Sequence, residues 1–153
     1  MKSLGLQPLV LICAVDSEGY TMPADLLDPG SFTGLLEGKQ LDDPEIVGRF
    51  QDLLDWVVPM IVQYGGWGLQ VLNEPDNTLQ DRPDLADGYI GFTREAVQHS
   101  HGINPKFAVS ATLTYGTAAR NEPYLAGFMD VVDFASFNYY GIDEMQFLKS
   151  PSS

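Results

Sequence analysis

The chain has 153 residues (16.8 kDa), 44% of them hydrophobic and 11% aromatic, with 15 glycines. That is material for one globular core and too little for two, and it excludes a disordered or collagen-like polypeptide. Acidic residues outnumber basic ones 21 to 8, a formal net charge of −13, which repels phosphate backbones and anionic lipids. Neither nucleic acid nor a membrane surface is therefore expected as a partner.

The first apolar run, Pro8 to Val15, is nearly continuous and suits a strand covered on both faces. It falls far short of the ~20 residues that span a bilayer. Lys2 ahead of the run gives it a superficial likeness to a signal peptide, but Pro8 interrupts it and no small-x-small cleavage site precedes Asp16. The single cysteine, Cys13, excludes an internal disulfide and a cysteine-based zinc site, and reads as a small buried hydrophobe. A polar loop from Asp16 to Asp42 follows. Asp43-Pro44-Glu45 then supplies a helix start: an N-cap acceptor, a first-turn proline and an early acid. Ile46, Phe50, Leu53, Leu54, Val57 and Ile61 keep helical spacing until Gly65-Gly66, with a kink or break expected at Pro59. Trp56, mid-helix, is expected in the helix-to-sheet core.

The second apolar run, Leu69 to Leu72, ends in Asn73-Glu74-Pro75, and Trp67 just before it is expected to pack. A helical pattern through Leu85, Tyr89, Phe92, Ala96 and Val97 closes with His99, His101 and Gly102. The two histidines suit a helix C-terminus, and their spacing points them different ways, against a shared metal. The third run, Phe107 to Leu113, ends at Tyr115-Gly116. A short helix over Tyr124 to Met129 leads to the fourth run, Val131 to Phe137, which exits through Asn138-Tyr139-Tyr140-Gly141.

Strands alternating with helices in this order predict an α/β fold with parallel crossovers, in a single domain over residues 1–153. An open doubly wound sheet should carry a Gly-x-Gly-x-x-Gly turn after an early strand, and none is present. Polar and aromatic residues instead gather where strands end: Asp16, Asn73-Glu74, Tyr115 and Asn138-Tyr139-Tyr140. Convergence of such ends on one mouth belongs to a (β/α)8 barrel. The expected fold is therefore a partial (β/α)8 TIM barrel.

Leu69-Gln70-Val71-Leu72-Asn73-Glu74-Pro75 resembles the fourth strand of the clan A glycoside hydrolases, which are retaining (β/α)8 glycosidases. Val132 to Tyr140 is similar to their sixth strand, and Gly5 to Leu11 to the entry into their third. The resemblance covers nearly the whole chain as strands three to six of eight. It implies hydrolysis of O-glycosyl bonds in a β-linked saccharide, with Glu74 as the general acid/base that protonates the poor glycosidic leaving group. It also implies that Asn73 donates to the sugar 2-hydroxyl, and that Asn138 and Tyr140 contact substrate from one side of their strand. Several members have histidine where this chain has Asn138. Tyr115 and Asp16 are further substrate-binding candidates because they end strands. No cofactor or metal is implied.

The clan's second carboxylate is a glutamate ending strand seven, about 5 Å from the acid/base. No acid here follows a further strand, Asp143 and Glu144 lie directly after Tyr140, and a complete barrel takes ~250 residues. The nucleophile is thus absent from this chain, and a fragment is expected, with open sheet edges that invite self-association. The alternative is a catalytically inactive truncated barrel that binds saccharide or pairs with a complementary half. A (β/α)8 enzyme using one glutamate as a base would need a metal cluster or phosphate loop that the sequence lacks.

Overall fold

A computed structural model describes residues 5–17, 19–30 and 34–139. Its main sheet contains β1 (Leu9–Leu11), β4 (Gly68–Asn73), β5 (Ala108–Thr114) and β6 (Ser136–Asn138), in that spatial order and parallel throughout. Because the order follows the sequence without reversal, the crossover helices lie on one face, and the sheet curls into a half-barrel. A small antiparallel hairpin, β2 (Val15–Asp16) with β3 (Gly19–Tyr20), follows β1. The helices are α1 (Pro44–Gln63), α2 (Asp76–Leu79), α3 (Ala86–Ile103), α4 (Tyr115–Arg120) and α5 (Leu125–Met129).

Helix α1 begins as the sequence predicts: Pro44 occupies its first turn and the Asp43 carboxylate accepts from Glu45 N at 3.1 Å. It ends in a Schellman motif, with Gly66 N donating to Ile61 O, Gly65 N donating to Val62 O, and Gly65 at φ 82. The expected break at Pro59 does not occur. Pro59 and Asp55 are both exposed, so the carbonyl that Pro59 cannot serve is free to meet water, and the helix runs on to Gln63. Its buried residues Leu54, Val57, Val58 and Ile61 join Tyr89, Phe92, Ala96 and Val97 of α3 against Leu69, Leu72, Val109, Ala111 and Leu113 of the sheet. Trp56 is not in that core. It is 67% exposed, on a stripe with Leu53 and Met60.

Two strands differ from expectation. The ladder of the Pro8–Val15 run is continued past β1 by Ile12 N and Ala14 N, which donate to Gln70 O and Val71 O, before the chain leaves into the hairpin. Over β1 the run is covered on one face only. Leu9 and Leu11 are 38% and 47% exposed on the concave side, where they pair with Gly68 and Gln70, and among the described residues β1 is an edge strand. Val131 to Phe137 yields only β6, since Val131 N and Val132 N donate to Phe128 O and form a turn off α5 that still packs on the core.

The register of β4 sets the chemistry of the inner wall. Gln70 pairs with Ser110 but Leu72 with Ala111, so Val71 and Leu72 share one position in a β-bulge. Paired residues share a face. Leu69, Leu72, Val109, Ala111 and Leu113 therefore meet the helices, whereas Gln70, Asn73, Ser110, Thr112, Thr114, Ser136 and Asn138 line the concave side. Gln70 Nε2 donates to Ser136 Oγ at 2.6 Å, and Thr112 Oγ1 lies 3.2 Å from the same atom. Ser110 Oγ donates to Phe134 O at 2.6 Å. The wall is hydrogen-bonded where barrel interiors are usually filled by branched apolar side chains.

Candidate functional site

The C-terminal ends of β4 and β6, together with the β2–β3 hairpin, bring four of the sequence-nominated residues together. Glu74, the first residue after β4, is 5% exposed. Its Oε1 accepts from Asn138 Nδ2 at 2.8 Å and its Oε2 from Asn77 Nδ2 at 3.2 Å. Asn138 Nδ2 also reaches Asn73 Oδ1 at 3.3 Å, and Asn73 Nδ2 donates to Asp16 Oδ1 at 2.7 Å. Asp16, Asn73, Asn138 and Glu74 thus form one hydrogen-bonded chain across the rim.

Asp16 joins the chain from the β2–β3 hairpin rather than from the end of a main-sheet strand, as the sequence suggested. The hairpin is tied to α3 by the phenols of Tyr20 and Tyr89, 3.0 Å apart, and burial raises the pKa of both. The hydrogen bond from Asn73, then that from Ser17 N, holds the Asp16 carboxyl below the usual carboxylate range.

The backbone at Glu74 is left-handed, φ 51. For a non-glycine residue this conformation costs of order 1–3 kcal/mol, and it persists only where the surroundings over-determine it. The proline that follows makes it less favourable still, because a residue before proline is driven to extended conformations. Glu74 N donates to Thr112 O at 2.7 Å, and Glu74 O accepts from Asn77 N at 3.1 Å.

Beyond Pro75 stands Asp76, in the first turn of α2, which the sequence did not single out. It is fully buried. Thr114 N lies 3.1 Å from each of its oxygens, and Thr114 Oγ1 and Thr117 Oγ1 both donate to Oδ2 at 2.5 Å. The available signal was the Thr-x-x-Thr spacing across the β5–α4 junction, which can turn two hydroxyls onto one acceptor. Asn77, three residues after Glu74 at a helix start, was also missed.

The remaining candidates flank the rim. Tyr115 opens α4, 42% exposed, and its ring meets that of Tyr139 edge-on with centroids 5.2 Å apart. Tyr140 lies outside the described residues. Trp67 packs on Phe134 with ring centroids 5.0 Å apart. Cys13 is half-buried rather than buried, and burial pushes its thiol pKa up. The histidines do diverge: His99 Nε2 lies 2.7 Å from Asp55 Oδ1 on α1, and His101 Nε2 lies 3.0 Å from Asp133 Oδ2. Among the described residues, no group of three or more His, Cys, Asp or Glu side chains could hold a metal ion. Nor is any helix among them long and apolar enough to cross a membrane.

An acid held between two amide donors, beside a further asparagine and the polar concave wall, can exchange a proton with a ligand oxygen that reaches it from that side. No protein-family model, curated protein or solved structure matches the chain.

Proposed function

We propose that this chain is a glycoside hydrolase-like half-barrel, with Glu74 as the general acid/base toward a β-linked saccharide. The observation that carries the reading is the buried Glu74 carboxylate at the end of a parallel strand, bonded to Asn138 and adjacent to Asn73. In a retaining mechanism the acid protonates the glycosidic oxygen as the bond breaks, while a second carboxylate attacks the anomeric carbon. Asn73 and Asn138 present amide groups to sugar hydroxyls, and the Tyr115–Tyr139 pair offers aromatic surface at the trough's edge. The reading assigns no described residue as the attacking carboxylate, and the β1 and β6 edges are where the further strands of a (β/α)8 TIM barrel would join.

Those edges also motivate the second reading, a catalytically inactive truncated barrel that binds saccharide. Among the described residues, β1 pairs with β4 alone and β6 with β5 alone. Calorimetry of the 153-residue chain against β-linked oligosaccharides, with reducing-end release followed in parallel, separates the two. Binding without release that is lost in Glu74→Gln and Asn138→Ala supports the site and favours the inactive form. Turnover by the pure chain excludes that form, and absence of binding removes the saccharide assignment altogether.

A further inference from the structure

We infer that Asp76 is the positioning residue of this site: a buried clamp that holds Glu74 in its left-handed backbone and so aims the carboxylate at Asn138. The inference rests on the acid/base reading of Glu74 for its functional meaning. Its structural content stands on four observations.

Glu74 is left-handed although proline follows it, so two steric preferences push it toward extended backbone. Some restraint downstream of Pro75 has to oppose them. The first side chain after the proline is Asp76, and its carboxylate is anchored to the end of β5 through Thr114 N and Thr114 Oγ1, and to the first turn of α4 through Thr117 Oγ1. Upstream, Glu74 N is pinned to Thr112 O on the same strand. Residues 74 and 76 are thus both fastened to β5, and the intervening proline, with its fixed φ of −59, makes the segment a stiff bridge.

Asp76 is 0% exposed and distant in sequence from Thr114 and Thr117. Leaving a buried acid between hydroxyl and amide donors is tolerated only where those bonds are complete. Releasing it frees Pro75 and lets Glu74 relax to the extended form, which swings its carboxylate from Asn138 Nδ2 and Asn77 Nδ2.

Nuclear magnetic resonance on the 153-residue chain reads this directly, through the backbone shifts of Glu74, which differ between left-handed and extended residues, and the side-chain amide of Asn138. Asp76→Asn and Thr117→Val are expected to move Glu74 to extended values and to shift the Asn138 side-chain amide, which keeps only its bond to Asn73 Oδ1. Thr117→Ser, which keeps the hydroxyl, is expected to leave both unchanged. Adding Pro75→Ala to Asp76→Asn is expected to restore part of the left-handed signal by removing the pre-proline clash. If Glu74 stays left-handed in Asp76→Asn and Thr117→Val while the urea midpoint falls, Asp76 is merely structural and the inference is overturned. Should Asp76→Asn not fold, Thr117→Val against Thr117→Ser decides by the same signals. Failure of the unsubstituted chain to bind oligosaccharide would remove the acid/base reading, yet leave these resonances to judge the clamp.

Discussion

Glu74 carries two burdens that a glycine in its place would not: a left-handed backbone and a carboxylate taken almost wholly out of water. Glu74→Gly should therefore raise stability by about 1 kcal/mol, seen as a higher urea midpoint at unchanged slope, while abolishing any saccharide binding. A lower midpoint would mean that the Asn138 and Asn77 hydrogen bonds outweigh the strain. Asp16 adds a pH dependence. Its folded pKa lies below its unfolded value, so its contribution is present above the ordinary carboxylate range and is lost as pH falls through the folded value. Asn73→Ala removes the largest cause of that shift. The stability gap between the two proteins should narrow as pH is lowered from about 6 to about 3. A gap that widens toward acid would contradict the Asp16–Asn73 assignment.

Among the elements, α1 shows how far local sequence reasoning reaches. Its cap, its first-turn proline and its double-glycine stop all lie within a few residues of what they control, and each is where the sequence puts it. Pro59 and Trp56 went astray because their outcome depends on what stands beside the helix: solvent in both cases. Pro59→Ala should restore a hydrogen bond to Asp55 and stabilise the protein by about 1–3 kcal/mol, measured by thermal or urea unfolding. No gain would show that the proline's restriction of the unfolded chain offsets the missing bond. The Asn73-Glu74-Pro75 exit was legible because a short apolar run ends there. The bond from Gln70 to Ser136 and the clamp from Asp76 to Thr114 were not, since they join positions 66 and 38 residues apart, and no local period encodes such pairings. The fourth strand was overlong for a related reason: Val131 and Val132 satisfy the core from a turn as well as from a strand.

At the scale of the whole molecule, β1 and β6 are unpaired on their outer edges among the described residues, and Leu53, Trp56 and Met60 form an apolar stripe on α1. Such surfaces favour association, while a net charge of −13 opposes it. Sedimentation velocity should therefore show self-association that strengthens with salt, as screening removes the repulsion, and that weakens in Trp56→Glu. Association that salt disperses would point instead to ionic contacts.

The doubled position at Val71 and Leu72 has a last consequence. Were β4 to slide by one place so that every residue found a single counterpart, its backbone would remain fully bonded. Leu72 would then look into the trough and Asn73 would vanish beneath the helices. That slipped form would be greasy where the native trough is polar, despite an intact ladder. The chain reaches its working phase because Gln70 and Asn73 find Ser136 and Asn138 waiting two residues apart on β6. The last of the described strands thus proofreads the alignment of one laid down long before it.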